Sequence, residues 1–123
     1  MNKALRERIY NKYNGHCAYC GTHITLSEMQ VDHLQPKWHN LTDEDCEKKG
    51  IDRGTDDEDN LMPSCRACNY YKHTSTLDGF RARLAVLQSI VMESFNARLA
   101  LKYQMISLQP WDGKFYFEKI WKE

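Results

Sequence analysis

The sequence predicts an α+β fold in which helices outweigh strands and a metal site ties distant segments together. Three observations carry this. Apolar residues recur at helical spacing near the start and again after residue 76. A short strand-like run lies at residues 29–33. Two Cys-x-x-Cys pairs, Cys17/Cys20 and Cys65/Cys68, flank residues 21–64. With 123 residues and 41% apolar content the chain suits a single domain over residues 1–123 with a small core.

Residues 3–13 read as a helix, because Leu5, Ile9 and Tyr13 share one stripe. Asn14-Gly15 ends it and delivers the chain into the first Cys pair. Residues 29–33 read as a strand that Leu34-Gln35-Pro36 closes, since proline cannot continue a ladder. Residues 39–59 form an acidic insert, in which Thr42 caps a helical turn and Gly50 ends it. Asn60-Leu61-Met62 then leads into the second Cys pair, which opens a helix carrying Cys68, Asn69, Lys72 and His73.

A long amphipathic helix or helix pair is expected from about Thr76, with Leu77, Phe80, Leu84, Leu87, Val91 and Phe95 as its core stripe. Residues 97–103 continue it or form a second helix. The tail at 114–120 alternates like an edge strand. No run approaches the roughly 18 apolar residues of a membrane span, and residues 1–8 lack the apolar run of a signal peptide. A cytoplasmic protein is expected, with no membrane partner and no protein partner implied.

Four of the five cysteines fall in the two pairs. In a reducing compartment this spacing points to a four-thiolate zinc site rather than to disulfides, because two intervening residues let a tight knuckle aim both sulfurs at one tetrahedral ion. Such a closed site has no open position, so the zinc is structural. The competing redox reading normally involves one pair beside a βαβ pattern. Cys46, in the acidic insert, reads as a bystander.

Several segments together resemble the HNH endonuclease family: Cys17-Ala18-Tyr19-Cys20-Gly21; Val31-Asp32-His33 followed by Pro36; Thr55-Asp56-Asp57-Glu58-Asp59-Asn60-Leu61-Met62-Pro63-Ser64-Cys65; and Arg66-Ala67-Cys68-Asn69 with Lys72. The resemblance covers residues 7–80 or so and is nearest to small phage-encoded members. It implies a ββα-metal finger, a β-hairpin followed by a helix around one catalytic divalent ion. Zinc acts as an external staple, and the N-terminal helix and a C-terminal helical extension (76–123) lie outside the finger. The implied activity is metal-dependent hydrolysis or nicking of phosphodiester bonds in DNA, in a bacterial host cytoplasm if the chain is phage-encoded.

Residue by residue, the resemblance makes His33 the general base, a role that suits an imidazole titrating near about 6.5. It makes Asp32 a hard-oxygen ligand for Mg²⁺ or Mn²⁺ and Asn60 a brace for the loop and the base. Most members carry His directly after the last Cys; here Asn69 fills that place, as in the HNN variants, and its amide oxygen suits the same ion. His73, four residues on, ranks below Asn69 as a further ligand or phosphate contact. Lys72 is expected as a phosphate contact, and Arg81, Arg83, Arg98 and Lys102 either touch DNA backbone or solubilise a helix face.

The alternative is a non-catalytic zinc-stabilised module that binds nucleic acid or a phage assembly partner. Net charge does not exclude nucleic acid. Residues 39–59 hold nine acids (Asp43, Glu44, Asp45, Glu47, Asp52, Asp56, Asp57, Glu58, Asp59) against Lys48, Lys49 and Arg53, which leaves the rest of the chain basic. DNA binding is therefore expected to be weak and steeply salt-dependent.

Overall fold

In a computed structural model, which describes residues 1–120, β1 (Gln30–His33) pairs antiparallel with β2 (Leu61–Ser64). The register sets Asp32 opposite Met62 and His33 opposite Leu61. Residues 34–60, including the whole acidic insert, form the connection between these strands. A helix, α3 (Arg66–Lys72), follows β2, so the hairpin-then-helix order expected from the sequence is present.

Helix α1 (Lys3–Asn11) precedes them; the Asn2 side chain caps it by accepting from Leu5 N at 2.7 Å. It stops short of Tyr13 because Asn14 takes a left-handed φ of 54° that turns the chain into the first Cys pair. Gly21 closes that knuckle at φ +80°, and a Cβ there would sit 2.8 Å from the Tyr116 ring. In the insert, α2 (Asp43–Lys49) is capped reciprocally by Thr42 and Asp45 and ended by Gly50. It buries Cys46.

Two predicted elements differ. The stripe from Leu77 to Phe95 is not one core face: the chain breaks into α4 (Leu77–Ala85), α5 (Leu87–Val91) and α6 (Phe95–Lys102). Phe80 is buried and Leu77 and Leu84 pack beside it, but Val91 and Phe95 are exposed. The non-helical geometry at Val86 (φ −104°, ψ 3°) separates α4 from α5, so the apolar stripe no longer follows the core.

The tail expected as an edge strand contains α7 (Tyr116–Lys119) instead. Phe115 is buried against Tyr19 and Phe80, with ring centroids 5.5 and 5.0 Å away. The first N–H groups of a helix lack intrahelical partners, and here those of Tyr116 and Phe117 donate to the carbonyls of Tyr19 (3.0 Å) and Ala18 (2.9 Å). Glu118 accepts from Phe115 N at 2.8 Å and is held bidentately by Arg81 at 2.7 and 2.8 Å. The apolar residues at 115–117 thus plug the core rather than alternate across a sheet. That core gathers Tyr13, Cys17, Ala18, Tyr19, Met62, Phe80 and Phe115, and a second cluster of Ile9, Ile24, Met29 and Leu61 lies under α1.

Candidate active site and metal centre

The four paired cysteines converge, with all four sulfurs within 4.8 Å of one another. They are the one group of three or more Cys, His, Asp or Glu ligand atoms so clustered among the described residues. Cys65 starts α3 as its N-cap, its Sγ accepting from Cys68 N at 3.4 Å, which turns both sulfurs of that pair to one side. Cys20 and Cys65 Sγ lie 3.8 Å apart, close to the edge of a tetrahedron with metal–sulfur arms of about 2.3 Å. Hydrogen bonds from Cys20 and Cys68 hold the Cys17 thiol far below its ordinary range, the contact with Cys17 pushes Cys20 up to about 11, and contacts with Cys17 and Cys20 push Cys68 up. Four sulfurs this close cannot all ionise without a cation, so the donor set fits a thiophilic metal.

A second region is a cleft beside β1. Asp32, His33, Asn69 and His73 line one cleft of about 500 Å³, whose far wall is Pro36 to Asn40. Arg53 holds that wall by donating to the carbonyls of Lys37, Trp38 and Leu41. Trp38 sits there at a left-handed φ of 54°, and its indole N–H is buried with no acceptor among the described residues.

Asp32 is buried and its two oxygens differ. Oδ2 accepts from the Tyr19 hydroxyl at 2.5 Å and from Lys72 Nζ at 3.0 Å. No described residue hydrogen-bonds Oδ1. Burial, and then the Asp32 charge, push the Tyr19 hydroxyl far up, so it stays a donor. Lys72, expected to touch phosphate, is instead fully buried and also donates to the His33 carbonyl at 2.9 Å. The reason is helical geometry: Lys72 follows Cys68 by four residues, so it shares the inward face that the metal cluster fixes.

Asn69 donates from Nδ2 to Gln30 Oε1 at 2.6 Å, and no described residue hydrogen-bonds its amide oxygen. His73 does not share a helix face with Asn69, because α3 ends at Lys72 and His73 is its cap at φ 52°. It nevertheless reaches the same cleft. Asp32, Asn69 and His73 bring carboxylate, amide and imidazole groups to the lining of this one cleft, and oxygen-rich donors of this kind suit hard ions such as Mg²⁺ or Mn²⁺.

His33 faces the cleft with Nε2 2.8 Å from Asp56 Oδ1, while Lys37 Nζ lies 2.5 Å from Asp56 Oδ2. Lys37 first, and His33 second, hold the Asp56 carboxyl below its ordinary range. Asn60 ties the two sides of the connecting segment. Its Oδ1 accepts from Gln35 N at 2.9 Å, and its Nδ2 donates to Gln35 O at 3.0 Å and Thr55 O at 2.8 Å. Asp56 and Lys37 escaped the sequence reading; the only signal for Asp56 was its place just ahead of Asn60 in an acidic run. Arg81 and Arg83, expected at DNA or solvent, are engaged within the chain. Arg81 holds Glu118, and Arg83 stacks 4.1 Å over the Tyr71 ring and donates to its carbonyl.

A family model described as HNH endonuclease matches residues 17–75, from the first Cys pair past the end of α3. Residues 17–75 are an HNH endonuclease domain. Among solved structures, this chain is similar to the crystal structure of the Type II-C Cas9 enzyme from Actinomyces naeslundii. The TM-score is 0.51 and the identity 21%, over 65% of this chain and 8% of that one. The chain thus spans a small part of that enzyme's length, and the likeness is one of fold. A comparison with curated proteins gave no match. No helix among the described residues is long and apolar enough to cross a membrane.

Proposed function

We propose that this HNH chain is a metal-dependent endonuclease that hydrolyses or nicks phosphodiester bonds in DNA, with His33 as general base and a divalent ion held by Asp32 and Asn69. The observation that carries the reading is the single cleft lined by Asp32, His33, Asn69 and His73 in an HNH domain. When bound, the divalent ion supplies charge neutralisation at the phosphate and at the departing oxygen. His33 takes a proton from the attacking water through Nδ1, the ring nitrogen that no described residue engages. Asn60 keeps β1 and the insert in register around the base. Lys72 holds Asp32 from behind, while Oδ1 and the Asn69 amide oxygen face the ion.

Zn²⁺ is assigned to the four sulfurs as a structural ion, supported by their mutual spacing and by the absence of any open protein position in a four-thiolate set. The assay is plasmid nicking with Mg²⁺ or Mn²⁺, comparing the zinc-loaded wild type with His33→Ala. Loss of nicking in the variant, with zinc content unchanged, is the expected result. Equal nicking by both proteins would remove His33 from its role.

One observation favours the second reading, a non-catalytic zinc-stabilised DNA-binding module. The Lys72 ammonium already neutralises Asp32 from 3.0 Å, which weakens that carboxylate as a cation ligand. Mn²⁺ titration of the zinc-loaded protein separates the two. An ion that broadens His33 resonances supports the nuclease, and no binding supports the module.

A further inference from the structure

We propose that Asp56 is a positioning residue for His33: its carboxylate, clamped by Lys37, fixes the imidazole in the Nε2–H tautomer so that Nδ1 presents its lone pair to the cleft. The inference rests on the nuclease reading of His33 but concerns a residue outside the cleft's proposed ligands.

The contact is built rather than incidental. Asp56 is exposed, so an ion pair there adds little stability, yet the backbone just ahead of it is fastened at two points. Gly54 N donates to Pro36 O at 2.8 Å, and Asn60 Nδ2 holds the Thr55 carbonyl at 2.8 Å. Gly54 lies so close to the β1 side that a Cβ would fall 1.7 Å from Gln35 O. The two carboxylate oxygens are divided between two donors. Oδ1 faces His33 Nε2 at 2.8 Å and Oδ2 faces Lys37 Nζ at 2.5 Å.

A carboxylate only accepts, so the proton on a neutral His33 must sit on Nε2. When His33 takes a proton on Nδ1, both ring nitrogens carry hydrogen, the Nε2–H stays on Asp56, and Asp56 remains anionic. No proton passes to it.

The same division of donors makes the isosteric amide informative. Lys37 can only donate, so in Asp56→Asn it claims the amide oxygen and turns the NH₂ group toward Nε2. That forces the proton onto Nδ1 and blocks the base. Asp56→Asn should therefore lower kcat at least as far as Asp56→Ala, by about 10- to 100-fold, a fraction of what a general base contributes. KM for DNA and the melting curve should stay in place. Asp56→Glu, which keeps an acceptor-only group, should recover part of the loss.

The test pairs nicking kinetics of these variants and His33→Ala with ¹⁵N imidazole spectra of the full zinc-loaded chain, recorded with His33 neutral. An Nε2–H signature in the wild type that becomes Nδ1–H in Asp56→Asn supports the proposal, whether or not nicking is detected. The same tautomer in both proteins overturns it. So does full activity of Asp56→Asn when His33→Ala is inactive. A fully active His33→Ala would instead defeat the nuclease reading of His33.

Discussion

Residues 17–75 and residues 86–111 of this chain are held in opposite ways. The first stretch is fixed by a few strong, long-range constraints: four sulfurs drawn from two distant segments, an ion pair between the buried Asp32 and Lys72, and the triple hold of Asn60. The second contains α5 and α6, neither of which buries a residue, and it leaves Ile90, Val91, Phe95, Leu99 and Tyr103 facing solvent. Helices of five and eight residues are marginal by themselves. The contrast teaches that in a chain this small the order of the site depends on point constraints rather than on apolar area.

The sharpest way to break the comparison is to remove the metal. Chelation, or Cys65→Ser, should forfeit a binding term of about 10–16 kcal/mol that is coupled to folding. Circular dichroism with metal quantitation should then show residues 17–75 losing structure; a metal-free protein that melts like the loaded one would refute the contrast. Next in size is Lys72→Met, which strands a buried carboxylate and should cost about 3–5 kcal/mol in urea denaturation. Adding Asp32→Asn should recover part of that loss. A fully additive double variant would mean the pair does not act as one unit.

Glu118→Gln probes the strap between α4 and α7 and should cost about 1 kcal/mol. Arg81 holds the Glu118 carboxyl below its ordinary value in the folded state. Its contribution is therefore present above the unfolded pKa and lost as pH falls through the folded one. The gap between wild type and variant should close in acid, and a gap that persists there would contradict the assignment to charge. Smallest of all, Phe95→Ser should change stability by less than about 0.5 kcal/mol, because that residue is 67% exposed. A larger loss would show that α6 is held after all.

The same division governs how much the sequence disclosed. The Cys pairs, the Thr42 and Gly50 caps and the order of β1, insert and α3 were legible because each depends on local chemistry or fixed spacing. The path of residues 86–120 was not. Helical periodicity in Leu77 to Phe95 specifies a helix face, but the break at Val86 decides whether that face meets the core. The apolar residues at 115–117 mimic a strand until Phe115 is seen plugging a space between Tyr19 and Phe80. That Asp32, His33 and Asn69 share one cleft follows from segments whose order could be read in advance. The fate of Lys72 could have been argued from its four-residue offset from Cys68. The Asp56–His33 contact could not, since it depends on how a long connection folds back on β1.

The docking of the tail also sets a timetable. The carbonyls of Ala18 and Tyr19 receive the amides of Phe117 and Tyr116, partners from the far end of the chain. On a ribosome the knuckle emerges long before the ring that fills its back, and contacts of such sequence separation form late. Until Phe115 arrives, Tyr19 and Phe80 present an open aromatic surface next to the four thiols. The nascent chain therefore passes through an interval in which its four clustered sulfurs lie beside an unfilled aromatic surface, and that interval, more than the finished fold, is where oxidation or aggregation would compete with metal binding.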